Sequence, residues 1–397
     1  MAFTQEPVNY AVEYAKELAN AYPYLSYFNE IWNGPNSTKY KPVNGKTIMV
    51  PSMSTSGARA VDRDRIDGVF TRNWNNDFQP LTMRMDREWD TLVDPMDIQE
   101  TNMVATIANI TETFNQFQKV PEMDAYAAQA VASAATSFGS VDSTTLSADN
   151  ILSTWDGYLA YMVNQRVNRD QLTAYMTPDA YKLLKEAAGI TRFIQADTGI
   201  RNVDRNVGKL DGVLIKEVPA DIMMTAYDFA QGWAPKDEAK QINMLLVNPL
   251  SLVAPVVYDT SMMSAPTAAT KGKWLYYERY YYDVFALNQR LPGIFANIAS
   301  APALGTVTFT TSAGADATHT IINGLMPAPY GMGYVAKSGA SADLPDYGEA
   351  CTSGWTAVQN GDAITTASGQ TITVALVNTT KGNTAVAGGS AAAVVGA

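Results

Sequence analysis

Histidine and cysteine, the side chains that most often perform nucleophilic catalysis or bind transition metals, are nearly absent from this chain of 397 residues. The sequence contains one of each, His319 and Cys351. A structural zinc site usually needs four such ligands, a disulfide needs two cysteines, and a Ser-His-Asp triad would have to use His319. His319 falls in an alternating run, which favours an ordinary strand residue over a pH switch. Cys351 is interpreted as either buried or mildly reactive.

Two further patterns contain some of the residues needed for phosphate binding or for acid–base catalysis, and neither pattern is complete. Gly45-Lys46-Thr47 matches the end of a phosphate-binding loop, but that motif needs a glycine five positions earlier, where this chain has Tyr40. Glu112 and Asp124 fall on a predicted helix, where a solvated or interface role is favoured over acid–base catalysis. The sequence therefore predicts no catalytic residues, no metal ligands and no cofactor, and an enzyme is the least favoured class.

Charge and hydropathy exclude other classes. The net charge is −11 and only 17% of the residues are charged, which is not typical of a protein that binds nucleic acid through its phosphates. Apolar runs are far shorter than the roughly 20 residues that span a bilayer, so we expect no membrane partner. The first ten residues contain Glu6 and no basic residue, unlike a secretory signal. The lack of disulfides fits assembly in a reducing cytoplasm.

The composition changes near residue 300, and the length predicts two or three domains. Residues 301–397 have two basic side chains, Lys337 and Lys381, and 14 of the 27 glycines. Short alternating runs, such as residues 307–310 and 371–377, are separated by turn residues. This pattern predicts a small all-β sandwich. Residues 388–393 are interpreted as a closing strand or a frayed end.

The first 300 residues carry signals for both helices and strands. Residues 8–22 have the spacing of an amphipathic helix that Pro23 ends, and a strand over 46–50 is expected to close at Pro51. Apolar residues from Met103 to Phe117 recur at spacings of 4, 3, 4 and 3, which predicts a long helix. Pro121 should interrupt it before a second segment, giving an element of about 50 Å.

Further elements follow along the chain. Ile151 and Trp155 begin a helical pattern, and Thr177 and Pro178 have the types expected at the start of another helix. Residues 172–176, 212–215 and 244–247 are predicted strands. The aromatic residues of segment 273–297 could form a stacking platform for nucleic acid or glycan, but core or interface packing is favoured.

Residues 52–95 form a segment too polar to bury a core of its own. Structureless loops of this length are uncommon inside compact domains, so we interpret it as an extended arm that pairs with another subunit. The run from Leu81 to Asp86 is taken as the returning arm of a hairpin. Arginine and carboxylate pair well in such contacts. The candidate inter-subunit residues are Arg59, Arg63, Arg65, Arg72, Arg84, Arg87, Asp62, Asp64, Asp86 and Asp90.

An ordered set of segments gives the chain a family resemblance: residues 43–51, 52–95, 120–126, 175–181, 210–213 with 218–219, 291–297 and the tail from about 301. Together they resemble the major capsid proteins of tailed bacteriophages, which have the Hong Kong 97 fold. The resemblance implies an α+β chain with an N-terminal arm and first strand over 1–51 and an extended E-loop over 52–95. The spine helix and the peripheral and axial domains would occupy 96–300, followed by an appended immunoglobulin-like sandwich over 301–397.

The resemblance also implies a function. Such a protein self-assembles through hexamers and pentamers into an icosahedral shell that encloses double-stranded DNA without sequence specificity. Expected partners are a portal protein and, since the spine begins near residue 100 and leaves no room for a scaffolding segment, a separate scaffolding protein. The protein would assemble in the host cytoplasm and reside in the virion capsid, with a host-surface glycan as a candidate ligand of the C-terminal domain.

Residues 52–95 contain no lysine, so a shell without covalent cross-links is expected. Two alternatives to the capsid function remain open from the sequence. One is an encapsulin-like nanocompartment, which has the same fold and packages enzymes. The other is a glycan-binding surface adhesin, which would need a secretion signal or an anchor.

Overall fold

The computed structural model describes residues 24–40, 47–58, 72–100, 106–187 and 207–396. The helices of these residues lie in the first half of the chain: α1 Asn29–Trp32, α2 Pro35–Lys39, α3 Pro95–Glu100, α4 Ile107–Phe114, α5 Val120–Phe138, α6 Ile151–Asn164 and α7 Pro178–Glu186. The predicted helix over residues 8–22 lies outside the described residues.

Strands occur throughout the described chain. Those before residue 300 are β1 Thr47–Thr55, β2 Trp74–Thr82, β3 Met85–Val93, β4 Val141–Asp142, β5 Thr173–Met176, β6 Lys209–Leu210, β7 Val213–Glu217, β8 Tyr227–Asp228, β9 Ala234–Pro235, β10 Ile242–Val247, β11 Leu252–Val253, β12 Val256–Ser264, β13 Trp274–Tyr282, β14 Phe285–Ala286 and β15 Ile294–Ile298. Those after it are β16 Gly305–Thr306, β17 Thr310–Ala313, β18 His319–Asn323, β19 Met332–Gly339, β20 Thr356–Val358, β21 Ala363–Thr365, β22 Thr371–Asn378 and β23 Thr384–Ala392.

We call the described residues before residue 300 the main body. A six-stranded sheet in the order β4-β15-β10-β5-β7-β6 forms its centre. Successive side chains of a strand point to opposite faces. In β10, Leu245 belongs to a core with Val131 of α5, whereas Leu246 belongs to a core with Trp155 of α6 and Leu184 of α7. Helices thus cover both faces, which explains why the predicted strands at 172–176 and 244–247 are buried throughout and mostly apolar. These predictions are confirmed by β5 and β10.

A single long helical element crosses the main body. Thr106 caps α4 by accepting a hydrogen bond from Asn109 N at 3.3 Å, and a π-helical turn over Asn115–Lys119 joins α4 to α5 without a break. The element covers residues 107–138, about 48 Å at 1.5 Å per residue. An interruption is expected at Pro121, because a proline ring crowds the preceding turn of a regular α-helix. The structure has a π turn directly before this proline, and the helix continues through it.

The strands β1 and β2 form a two-stranded antiparallel ribbon in which Thr47 lies opposite Thr82 and Thr55 opposite Trp74. The prediction that Pro51 closes the first strand is wrong. Each strand of a ribbon leaves one side unpaired, and a proline is tolerated there. The returning arm of the hairpin is β2, which ends at Thr82, so only the first two residues of the predicted run Leu81–Asp86 belong to it. The run continues into β3, which pairs with β13.

The C-terminal residues form two packed sheets, of five strands in the order β16-β23-β22-β19-β20 and of three in the order β17-β18-β21. Ile322 and Ile364 of the smaller sheet share a core with Ala336 and Val374 of the larger one. The predicted strand at 371–377 is confirmed by β22, and residues 388–393 fall largely within the closing strand β23. The run at 307–310 is interrupted, since β16 ends at Thr306 and β17 begins at Thr310.

Candidate assembly surfaces

One face of the β1–β2 ribbon is apolar and exposed. Met49 and Met53 of β1 are 54% and 65% exposed, and Phe78 and Trp74 of β2 are 50% and 46% exposed. The register places all four on the same face, since Phe78 lies opposite Pro51 and Trp74 opposite Thr55. A two-stranded ribbon is marginal alone, and a contiguous exposed apolar patch marks a surface for association. We call this surface the ribbon face.

The opposite face of the ribbon is anchored to the main body. Ile48, Val50 and Leu81 are buried in a core with Val253 and Phe285. At its base, Gln79 Nε2 donates to Ala286 O at 3.1 Å, and Gln79 Oε1 accepts from Asn288 N at 3.0 Å. The ribbon is therefore held in place while its apolar face stays open.

The sheet β12-β13-β3 presents a second surface that combines acidic and apolar groups. Asp86, Glu88 and Asp90 alternate along β3 and are exposed. Arg279 of β13 pairs with Asp86 through Nε–Oδ1 and Nη2–Oδ2 contacts of 2.9 and 2.6 Å. The edge strand β12 exposes Met262 on this acidic face and Met263 on the other face of the sheet.

The inner face of the same sheet is attached to the long helix by ionic and aromatic contacts. Arg87 donates from Nε and Nη2 to the two carboxylate oxygens of Glu122, both at 2.8 Å, and Tyr282 OH donates to Glu122 Oε1 at 3.1 Å. Trp89 stacks on Phe114 with ring centroids 4.1 Å apart. Burial raises the pKa of Glu122, and the Arg87 guanidinium acts in the opposite direction. The sheet and helix thus form one unit.

Asp124 attaches the N-terminal segment to the long helix. Its carboxylate accepts hydrogen bonds from Tyr24 OH at 2.8 Å, Ser26 Oγ at 3.1 Å, Tyr27 N at 2.8 Å and Trp32 Nε1 at 3.3 Å. The prediction of a solvated or interface role is wrong for Asp124, whose side chain is fully buried within the chain. Burial raises its pKa, and the four donors act against that rise.

The C-terminal sandwich docks on the end of the long helix. The last carbonyls of a helix have no partner within the helix, and here side chains of the sandwich donate to them. Asn378 Nδ2 lies 2.7 Å from Phe138 O, and Tyr347 OH lies 2.7 Å from Thr136 O. Just beyond the helix, Lys381 Nζ lies 3.3 Å from Gly139 O and 2.9 Å from Val141 O. The Lys381 charge also complements the helix dipole.

Gly139 makes the close approach at this junction possible. Its φ of +80° ends α5 in the left-handed conformation. A Cβ at this position would lie 2.9 Å from Val386 Cγ2 of the sandwich. The domain is thus fitted to the helix end rather than tethered by a linker alone.

The single histidine and cysteine both lie in the sandwich, apart from each other. His319 begins β18, and its Nδ1 lies 2.7 Å from Asp316 Oδ1, which together with Thr318 lowers the pKa of Asp316 to about 2. Cys351 is buried, and burial raises the pKa of its thiol to about 11. Among the described residues no cluster of His, Cys, Asp and Glu could hold a metal. Within that same part of the chain no helix could cross a membrane.

The structure brings some of the ten predicted inter-subunit residues into contact with groups of the same chain. Arg87 and Asp86 have the partners described above, and Arg72 lies over the ring of Trp74 at 5.2 Å. Arg84 and Asp90 are exposed. Half of the set lies outside the described residues, namely Arg59, Asp62, Arg63, Asp64 and Arg65. The inter-subunit role of the set stays a prediction.

Sequence reasoning missed the ribbon face, although the signal is present. Met49, Pro51 and Met53 alternate with smaller or buried residues, and Phe78 and Pro80 do so in the facing strand. The many charged residues of segment 52–95 dominate its composition and hide the apolar side chains that share one face. The period-2 rule would have grouped them once the pairing of residues 47–55 with 74–82 was known.

Comparison with known proteins identifies the fold. No family model and no curated protein matches the sequence. A chain from the mature capsid of bacteriophage PhiM1 superposes with a TM-score of 0.50 and 14% identity, covering 73% of this chain and 92% of that one. A chain from the capsid of cyanophage P-SCSP1u gives 0.50 and 12%, covering 74% and 93%. The architecture is therefore that of bacteriophage capsid proteins. The mixed helix-and-strand fold expected from the resemblance is confirmed at this level.

Proposed function

We propose that this chain is the major capsid protein of a tailed bacteriophage, with the Hong Kong 97 fold. The observation that carries the proposal is the shared architecture with two phage capsid chains, which extends over more than 90% of each. In this assignment the β1–β2 ribbon is the E-loop, and α4 and α5 are the spine helix. The rest of the main body supplies the peripheral and axial domains.

The matched share of the chain, 73–74%, is about that of residues 1–300. This supports a division into a capsid core followed by an appended domain over 301–397. The appended domain has two packed sheets that are antiparallel except for the pair β16 and β23, and two packed, mainly antiparallel sheets are the architecture of an immunoglobulin-like sandwich. Its contacts with α5 make it an integral part of the subunit.

The ribbon face supports assembly into hexamers and pentamers. In a ring, each subunit presents one surface to the next and a different surface to the previous one. An anchored ribbon with an open apolar face suits such a heterologous contact. Many individually weak contacts then give a closed shell its stability.

The remaining partners are proposed on the resemblance. They are a separate scaffolding protein, a portal protein and packaged double-stranded DNA, with assembly in the host cytoplasm and a final location in the virion capsid. A host-surface glycan is the candidate ligand of the C-terminal domain, where Tyr330 is an exposed aromatic side chain. The nanocompartment and adhesin alternatives have no observation in their favour.

Electron microscopy of negatively stained particles tests the proposal directly. The full chain is produced together with the products of its neighbouring genes, and the particles are separated by sedimentation. Icosahedral shells are the expected result. A chain that stays a soluble monomer under these conditions would contradict the proposal.

A further inference from the structure

An open cleft of about 260 Å³ lies between the turn that follows α6 and the segments around Asn248 and Gly293. Its lining includes two arginines, Arg166 and Arg290, five amide side chains and no Asp or Glu. The chain as a whole has a net charge of −11. A cleft lined by two positive charges and no negative ones therefore stands out from the rest of the molecule and favours an anion.

The floor of the cleft has two polar groups without partners. Asn248 and Ser251 are 6% and 3% exposed, and buried polar groups are normally hydrogen-bonded. Asn248 Oδ1 accepts from Leu250 N at 3.0 Å. Among the described residues neither Asn248 Nδ2 nor Ser251 Oγ makes a hydrogen bond, and neither is a fully buried atom, so both reach the solvent of the cleft that their residues line. Two side-chain groups are thus free to donate to a ligand.

Gly293 allows the floor residues to pack closely. A Cβ at this position would lie 2.1 Å from Ser251 Oγ and 3.3 Å from Asn248 Cβ. Any larger residue would displace the Ser251 side chain. The glycine therefore lets Ser251 keep its place in the floor.

The arginines are held at the walls by their backbone and side-chain contacts. Arg166 has a φ of +65° at the end of α6, where Val167 N donates to Met162 O at 3.1 Å. Glycine is the usual residue at this position of a helix end, so an arginine here is strained. Arg290 Nη1 donates to Leu250 O at 2.9 Å. Neither guanidinium has an ion-pair partner in the described part of the chain.

We propose that this cleft is a binding site for an oxyanion, either a carboxylate or a phosphate group. Guanidinium forks present parallel N–H donors that match two oxygens of such groups. The Asn248 amide and the Ser251 hydroxyl would donate to the same anion from below. The site belongs to the single chain, so its existence does not depend on the proposed function.

Titration calorimetry with inorganic phosphate on the unassembled full chain tests the site. Asn248→Asp keeps the oxygen that accepts from Leu250 N but replaces the donor with a negatively charged oxygen, and should weaken phosphate binding at least about tenfold. Arg166→Gln combined with Arg290→Gln should have a similar effect. The controls are Asn164→Asp and Arg169→Gln, which each change one charge at an exposed position outside the cleft lining and should leave binding unchanged.

Two results would overturn the proposal: no measurable phosphate binding by the wild-type chain, or equal binding by the wild type and the cleft variants. Circular dichroism on each variant verifies that it is folded. Because the measurement uses the unassembled chain, a failure to form shells has no bearing on it.

A second measurement distinguishes two sources of the oxyanion, a carboxylate of a second copy and free phosphate. It follows assembly by light scattering at increasing phosphate concentration. If a carboxylate of a second copy occupies the cleft, phosphate competes and slows assembly of the wild type, and Asn248→Asp assembles poorly even without phosphate. If free phosphate is the ligand, Asn248→Asp assembles normally. Each outcome assigns a different source to the same site.

Discussion

The Arg87 guanidinium forms two parallel hydrogen bonds with the Glu122 carboxylate, both 2.8 Å long, although 34 residues separate the two in the chain. The Glu122 side chain is only 4% exposed, and that of Arg87 is 20% exposed. The pair connects β3 to α5 across the interior of the main body. It therefore holds the sheet β12-β13-β3, which we call the outer sheet, against the long helix.

Removing one partner of this buried pair should be strongly destabilising. Arg87→Ala leaves Glu122 without its cation in a buried site, so the free energy of unfolding should fall by about 3–5 kcal/mol. Urea denaturation followed by circular dichroism measures the change. Arg279→Ala is the matched control, because Arg279 pairs with Asp86 in the same bidentate geometry on the solvent side. Its loss should be much smaller because solvent screens exposed pairs, and equal losses would contradict the distinction.

Polar substitutions on the ribbon face should block assembly without unfolding the chain. Met53→Ser combined with Phe78→Ser removes apolar area that is already exposed in the single chain, so the Tm should change little. Shell formation, measured by sedimentation, should be lost or reduced at least about tenfold. Asn75→Ser is the control, since Asn75 is exposed in the same ribbon with its side chain on the other face. Normal shells from the double variant would exclude the ribbon face as an assembly contact.

The junction between the sandwich and the long helix should contribute measurably to stability. Asn378→Ala leaves Phe138 O buried without its donor, and the free energy of unfolding should fall by about 1–3 kcal/mol. Thermal and urea denaturation measure this loss. Asn164→Ala, at the exposed end of α6, serves as a control. An unchanged stability for Asn378→Ala would mean that the domain is held by its linker and not by the helix end.

The Cys351 thiol should react slowly in the folded chain. With its pKa raised to about 11, the thiolate fraction near pH 8 is about a hundredfold smaller than for an ordinary thiol, and burial reduces access further. Labelling with an aromatic disulfide reagent should accelerate by at least this factor in urea. Similar rates in the two conditions would show that Cys351 is reactive after all.

The contact between Asp316 and His319 predicts a specific acid titration. The folded pKa of Asp316, about 2, lies below its ordinary value of 3.8. The contact therefore stabilises the folded chain above about pH 4, and this contribution is lost as the pH falls through 2. Carbon NMR of the Asp316 carboxyl group gives the pKa directly. His319→Ala should raise it toward 3.8, and Thr318 should keep part of the shift.

Elements with strong local signals were predictable from the sequence. Thr177 caps α7 through Ala180 N at 3.4 Å, and Pro178 occupies the first position of that helix as expected. Capping and apolar spacing act over a few residues, so a single sequence contains them in full. The same holds for β5, β10 and β22, whose composition and turn residues identify them.

Features that depend on distant residues were not predictable. The run at residues 81–86 alternates without a break, and only the pairing of β3 with β13 shows that it belongs to two different sheets. The burial of Asp124 depends on Tyr24 and Trp32, which are about a hundred residues earlier in the chain. No local pattern distinguishes such a carboxylate from one in water.

The π turn at Asn115–Lys119 has a consequence for the angular phase of the long helix. Each residue of an α-helix advances the side-chain direction by about 100°, so a π turn, which holds one residue more than an α turn, offsets everything before it by that angle. Deleting one residue here would let the helix run as plain α and would rotate α4 about its own axis relative to α5. Phe114 would then point away from Trp89. The turn thus sets the rotational alignment on which the outer sheet depends.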